Sequence, residues 1–228
     1  MSSSKKNIVI CFLLILLAQC LYKKIIFLLT AFTCNFINNS NSIIFDMIGH
    51  SYMFFILFFI TFVIYKEKQI DFGYHIPKFK YLIRCIVLVC LFEFFVAIID
   101  IIFKVKASTN DIIGYLFFQF VFSGLGEEIC FRSIPMYIFD RYCDGEKFLL
   151  KNKMIDISTL LSAVLFAVAH IQNHINSAIY SQIYSFIVIT IAGILYGWTY
   201  RKTRSIWGSM LVHGLSNVIT VSIPIIFL

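Results

Sequence analysis

Little of this chain is charged: Asp, Glu, Lys and Arg make up 14% of its 228 residues, against roughly a quarter in an ordinary soluble domain. Proline is nearly absent, with three residues, and ten glycines are too few for a collagenous or loop-rich chain. No Cys-x-x-Cys pair occurs. The seven cysteines (Cys11, Cys20, Cys34, Cys85, Cys90, Cys130 and Cys143) are odd in number, scattered, and mostly inside apolar runs. That pattern excludes a disulfide framework and a thiolate zinc site, and reads as small hydrophobes packed among helices. Internal repeats, low-complexity tracts and linkers of domain size are also missing. The net charge of +7 does not point to nucleic acid, because no basic stretch is interleaved with stacking aromatics in a polar setting.

What is present is apolar. Hydrophobic residues make up 60% of the chain, and 26 are phenylalanine. A soluble fold of this size cannot hide that much apolar side chain. Runs at roughly 8–22, 25–37, 47–65, 82–103, 112–139, 154–176, 178–200 and 207–227 include several near the ~20 residues a helix needs to cross a bilayer. Helices are the only open-chain structure that satisfies its own backbone in lipid. The expectation is an all-α, polytopic transmembrane bundle of about seven or eight membrane helices. It is an integral, multi-pass protein whose first partner is the lipid bilayer. Abundant Ile, Phe, Lys and Asn suggest a prokaryotic cell membrane.

The start, MSSSKKNIVICFLLILLAQC, has the basic head and apolar stretch of a signal peptide. Leu17-Ala18-Gln19-Cys20 faintly resembles a lipoprotein cleavage site, but Gln19 fits poorly, so an uncleaved membrane segment is expected. Basic residues cluster in the N-terminal tail and in segments 66–80 (Lys66, Lys68, Lys78, Lys80), 140–153 (Arg141, Lys147, Lys151, Lys153) and 201–204 (Arg201, Lys202, Arg204). If residues 8–37 make one net crossing, all four clusters face the cytoplasm and only Lys104 and Lys106 face the other side, as the positive-inside rule requires. Seven crossings are expected, with one of the first two runs lying in the interface. Lys23 and Lys24 fit either arrangement poorly.

An ionisable residue inside an apolar span costs about 2.5–3.5 kcal/mol on insertion scales, so such residues mark where function lies. The densest cluster is Gly124-Leu125-Gly126-Glu127-Glu128-Ile129-Cys130-Phe131-Arg132, in the middle of the 112–139 run. Arg132 follows Glu128 by four residues, with the acid N-terminal, the favourable order for an intrahelical ion pair. That pairing leaves Glu127 unmatched, about 100° round the helix, in need of a proton, a metal or an imidazolium. His170, one turn after Phe166, and His213 with Asn217 one turn later place further polar groups on two other apolar runs. Three helices thus offer Glu, Glu, Arg, His, His and Asn. That set can activate water and stabilise an oxyanion, or hold a divalent metal through two imidazoles and a carboxylate. No His-Glu-x-x-His zinc helix and no nucleophile elbow occurs.

Glu-Glu-x-x-x-Arg at 127–132, Phe-x-x-x-His at 166–170 and His-x-x-x-Asn at 213–217, in that order on successive membrane runs, resemble the motifs of the CPBP family. This is the group of type II CAAX prenyl proteases and bacteriocin-processing or immunity proteins also called Abi. The approach AGILYGWTYRKTRSIWGSMLVH resembles the family too. The resemblance covers about residues 112–220. It divides the chain into N-terminal transmembrane helices (1–110) and a catalytic helical core (111–228) of one integrated membrane domain.

The resemblance implies an intramembrane endopeptidase acting on a peptide or membrane-protein substrate. Glu127 would be the base that activates water and His170 would help to position it. Glu128 and Arg132 would orient the site. His213 and Asn217 would stabilise the oxyanion or complete a metal site. A divalent metal such as zinc would be held by Glu127, His170 and His213, although a metal-free glutamate mechanism is also argued for the family. His170 would lie deeper than His213 if its helix starts at Ser158; a start near Met154 eases this. Two other functions remain open: a non-catalytic immunity factor or scaffold, and a proton-coupled transporter.

Elsewhere, Glu93 and Asp100 share one face of the 82–103 run, and a structural pairing within the bundle is expected for them. His50, His75 and His174 are expected at span ends or in loops, in contact with solvent. Gly193 and Gly197 make a Gly-x-x-x-Gly step that permits close helix approach. The phenylalanines are expected to face lipid.

Overall fold

The computed structural model describes residues 3–102, 111–143, 156–171 and 177–227. The described residues form helices α1 (Ser3–Phe36), α2 (Ser42–Lys68), α3 (Phe79–Ile102), α4 (Ile112–Tyr142), α5 (Ile157–His170), α6 (Ile179–Thr203) and α7 (Ile206–Phe227). Six of these are long and apolar enough to cross a membrane; α5, with 14 residues, is shorter. The expected all-α polytopic bundle is what forms.

One expectation is corrected at the N-terminus. Residues 8–37 do not split into a span and an interfacial piece: α1 is a single helix of 34 residues. Lys23 sits inside it, and its ammonium donates to the Ala169 carbonyl at 3.0 Å, in the last turn of α5, where carbonyls lack intrahelical partners. The poorly fitting lysine is thus satisfied by another helix's free end. His174, Lys104, Lys106 and Met154 lie outside the described residues.

Helix ends follow local chemistry. The Asn41 carboxamide caps α2, accepting from the Ile43 and Ile44 amides. Asp111 caps α4 through the Gly114 amide at 2.8 Å. Asp156 caps α5 through the Thr159 amide at 2.7 Å, which places that helix's start at Ile157, not further upstream. Gln69 and Arg204 end α2 and α6 in the left-handed conformation.

The bundle has the polarity of a membrane protein. Phe55, Phe59, Leu91, Phe94, Phe95 and Ile183 are among the exposed apolar residues, while Glu93, Glu128, Arg132, Ser158, Ser209 and His213 are buried. Glycines set the closest approaches. A Cβ on Gly126 would lie 2.9 Å from the His50 carbonyl oxygen on α2. One on Gly197 would lie 2.9 Å from Thr159 Cγ2, and one on Gly193 3.1 Å from the Ala163 backbone. The Gly193–Gly197 step is therefore the seam of the α5–α6 pair.

Candidate active site

The site is built around one irregular helix. In α4 the backbone is α-helical to Phe117, widens to a π-helix over Phe118–Ser123, returns to α over Gly124–Glu128, and widens again over Ile129–Ser133. Each π segment inserts an extra residue per turn and re-aims the side chains after it; such bulges cluster at functional sites. Glu127 and Glu128 lie on the short α turn between them. Gly124 and Gly126 leave room on that turn: a Cβ on Gly124 would lie 2.7 Å from the Met210 carbonyl of α7. Both α2 and α7 can then press against the two carboxylates.

Glu128 and Arg132 form the buried side. Both are 0% exposed, and Arg132 Nη2 lies 3.5 Å from Glu128 Oε1, the i, i+4 pairing expected from the sequence. The guanidinium also sits over the Phe166 ring at 4.4 Å and near Tyr196 at 5.5 Å, a cation–π cradle that suits an arginine in a dry interior. Glu128 accepts from Ser209 Oγ at 2.5 Å and from His213 Nδ1 at 2.9 Å. The His213 ring stacks on Tyr196, with centroids 4.4 Å apart and planes at 18°. Three contacts thus hold this imidazole: a carboxylate at Nδ1, a stacked phenol, and the edge of Phe166.

Glu127 faces the other way, into a cavity of about 550 Å³ that Glu127, His50, His170, His213, Asn217 and Glu93 help to line. Three imidazoles surround its carboxylate. His50 Nε2 lies 3.2 Å from Oε1, His170 Nε2 3.8 Å from Oε1, and His213 Nε2 3.8 Å from Oε2. The opposite nitrogen of each ring meets an acceptor: the Asp46 carbonyl for His50 (2.9 Å), the Phe166 carbonyl for His170 (2.8 Å) and Glu128 for His213. Those acceptors fix Nδ1 as the protonated side of each ring and turn Nε2 towards Glu127. His50 has an acceptor at both nitrogens, so only its doubly protonated form donates to both. In that form it would be the imidazolium that an unmatched carboxylate in an apolar span requires.

Sequence reading missed His50. It is not solvated at a span end: it lies inside α2, its side chain 20% exposed, edge-on to Phe118. Nothing local to α2 signals this, because its partner is 77 residues away in sequence. His75, by contrast, is exposed and pairs with Asp71 at 3.0 Å. Asn217 lines the same cavity, where its amide donates to Gln119 Oε1 at 3.0 Å and Ser123 Oγ at 2.9 Å. Glu93 is 3% exposed and accepts from Ser216 at 2.5 Å and Thr220 at 2.6 Å. Asp100 accepts from the Tyr184 hydroxyl at 3.2 Å. Glu127, His170, His213 and Asn217 therefore meet at one cavity, with Glu128 and Arg132 directly behind it.

Imidazole and carboxylate are donor types that a divalent ion takes, so spacing decides. Among the described residues no group of three or more His, Cys, Asp or Glu side chains is spaced to hold one. The three Nε2 atoms lie against the Glu127 carboxylate, two on Oε1 and one on Oε2. As arranged, the residues do not fit a resident metal.

Residues 109–219 match the family model for type II CAAX prenyl endopeptidases, Rce1-like. No curated protein and no solved structure matches the chain. The matched stretch takes in all three motifs and most of α4–α7, and leaves α1–α3 outside. Over that stretch, just under half of the chain, the protein is similar to the Rce1-like type II CAAX prenyl endopeptidases, and its six long apolar helices make it a multi-pass membrane protein.

Proposed function

We propose that this protein hydrolyses a peptide bond within the membrane, using water activated by Glu127. The observation that supports this best is the convergence of three Nε2 atoms on one carboxylate inside a cavity large enough for an extended peptide segment. Glu127 takes a proton from water as the oxygen attacks the scissile carbonyl carbon. His170, tethered through Nδ1, positions that water. The carbonyl oxygen becomes an oxyanion facing His213 and Asn217. Collapse of the tetrahedral intermediate breaks the C–N bond, and the proton held by Glu127 passes to the leaving amine. Preorganised donors at a developing charge, in a site shielded from bulk water, supply most of such an acceleration.

Glu128 and Arg132 act through His213. With Nδ1 bonded to the Glu128 carboxylate, the ring is held with Nε2 turned to the cavity where the oxyanion forms, and Arg132 with Ser209 keeps that carboxylate in place. His50 acts through Glu127, anchoring one carboxylate oxygen and leaving the other for water. No step runs through a metal. Purified enzyme should keep its rate within about twofold in chelator; loss in chelator with recovery on adding zinc would contradict this part.

Cleavage by purified variants tests the proposal. Separate Glu127→Ala and His213→Ala changes should each lower turnover by about 100-fold or more while leaving insertion and yield unchanged. Full activity in either variant contradicts it. We extend the proposal to peptide or bacteriocin maturation or immunity, with hydrolysis as the means. Protection of a sensitive host should then vanish with Glu127→Ala; protection that survives the change would mean action by binding alone.

A further inference from the structure

One buried carboxylate of the cavity has no part in the chemistry described so far. Glu93 lies on α3, outside residues 109–219, and lines the same cavity as Glu127. Its partners are hydroxyls of α7: Ser216 Oγ donates to Oε1 at 2.5 Å, and Thr220 Oγ1 donates to Oε2 at 2.6 Å. Ser216 and Thr220 follow His213 by three and seven residues, so all three share one face of α7, and α3 packs along that helix.

Ser216 has a second partner. The Tyr196 hydroxyl, on α6, lies 2.5 Å from Ser216 Oγ. A serine hydroxyl has one hydrogen and Glu93 takes it, so Tyr196 donates. Three helices thus supply a directed string, from the Tyr196 O–H to the Ser216 O–H to the Glu93 carboxylate, and each member is buried. The string ends at His213, because the Tyr196 ring stacks on that imidazole with centroids 4.4 Å apart and planes at 18°.

The bond from Nδ1 to Glu128 fixes one point of the His213 ring. On that bond alone the ring could still tilt and swing Nε2 away from Glu127. A flat aromatic partner against its face removes this freedom, provided the partner itself cannot turn. Tyr196 is held at both ends, by the α6 backbone and by Ser216, and Thr220 stops the Glu93 carboxylate from rotating in turn. In lipid a carboxylate is a costly way to join two helices, and an apolar side chain at position 93 would close the same seam.

We infer that Glu93, Ser216 and Tyr196 are positioning residues for hydrolysis: together they hold the phenol flat against His213 and keep the Nε2 of that ring aimed into the cavity at Glu127. This role rests on the protease reading. It acts on the geometry of the reacting state, so the expected loss falls on kcat and not on KM.

Two measurements on the purified full chain test it, one of which needs no hydrolysis. The first is steady-state cleavage of a fluorescence-quenched prenylated CAAX peptide. Tyr196→Phe keeps the ring and removes one oxygen; kcat should fall about 10-fold with KM within about twofold. Ser216→Ala should do the same. Both cut one string, so the double variant should be no slower than the slower single one, whereas independent structural damage would multiply to about 100-fold. Glu93→Leu should match these losses, and Glu93→Gln, whose carboxamide oxygen still accepts from Ser216, should recover most of the rate. If Glu93→Leu fails to fold, the Tyr196 and Ser216 variants decide. Unchanged kcat in Tyr196→Phe, or losses that multiply in the double variant, overturns the role.

The second measurement is NMR of histidine-labelled protein, with the His213 signal assigned by its loss in His213→Gln. A stacked phenol shifts the imidazole ring protons upfield; Tyr196→Phe should broaden that line or return it downfield, and an unmoved line overturns the role. A line that moves, with no cleavage by the unaltered protein, would sink the protease reading and leave the held ring standing.

Discussion

At the residue scale, the informative comparison is between two histidines that look alike in sequence. His170 belongs to an ordered set of motifs and His50 to none, yet His50 makes the shorter contact with Glu127, 3.2 Å against 3.8 Å. Its position predicts a specific kinetic signature. Replacing His50 by Phe keeps the ring's bulk and removes its donors, so Glu127 loses its anchor and kcat should fall about 10- to 100-fold with KM within about twofold. His50→Gln, which keeps one side-chain donor, should recover part of that loss. Steady-state kinetics on the three proteins checks this; an unchanged kcat in His50→Phe would remove His50 from the account. The Glu128–Arg132 pair, by contrast, was legible in the sequence, because i, i+4 spacing is local. His50 was not, since the contact depends on how α2 packs on α4.

At the element scale, glycine decides which helices touch. Gly126 lets α2 approach Glu127 closely enough for His50 to reach it. Gly126→Ala puts a Cβ 2.9 Å from the His50 carbonyl oxygen and 3.0 Å from Met53 Cβ, and backbone on one side cannot simply rotate away. Overpacking of this kind costs roughly 1–3 kcal/mol. The variant should melt earlier in detergent and lose activity as α2 is displaced. Gly49→Ala is the control: its Cβ would meet the Thr30 hydroxyl at 3.3 Å, and a small melting shift is expected. Equal shifts in the two variants would show that the α2–α4 contact is not specially tight. The spans and their caps follow from apolar runs and from Asn41, Asp111 and Asp156. The two π segments do not. An i→i+5 turn has no compositional mark, and these arise where α4 bends its carboxylates between α2 and α7.

At the scale of the whole molecule, the half that matches the family is not self-sufficient. Gln19 of α1 donates to the Cys130 carbonyl at 3.0 Å, Tyr22 donates to the Met53 carbonyl at 2.9 Å, and Lys23 caps α5 beside His170. With His50, these residues make α1 and α2 part of the site's wall. A chain lacking residues 1–68 should therefore lose cleavage and become polydisperse in detergent, although residues 109–219 remain whole; size-exclusion chromatography and a cleavage assay read both effects. Activity at the full-length rate would show the N-terminal helices to be dispensable. Sequence placed these helices in the membrane but held no sign of their place at the site, because their contacts with α4 and α5 span more than a hundred residues for Gln19 and Lys23.

The claim on which the rest depends is that water, activated at Glu127, cuts a peptide bond. Its most direct measurement is peptide digestion by the purified full chain in ¹⁸O-labelled water, with chelator present, read by mass spectrometry beside Glu127→Gln. The account predicts two product peptides, a single ¹⁸O in the newly formed carboxylate, and no products from the variant. Intact peptide after digestion by the unaltered enzyme, or products formed equally fast by Glu127→Gln, would contradict it.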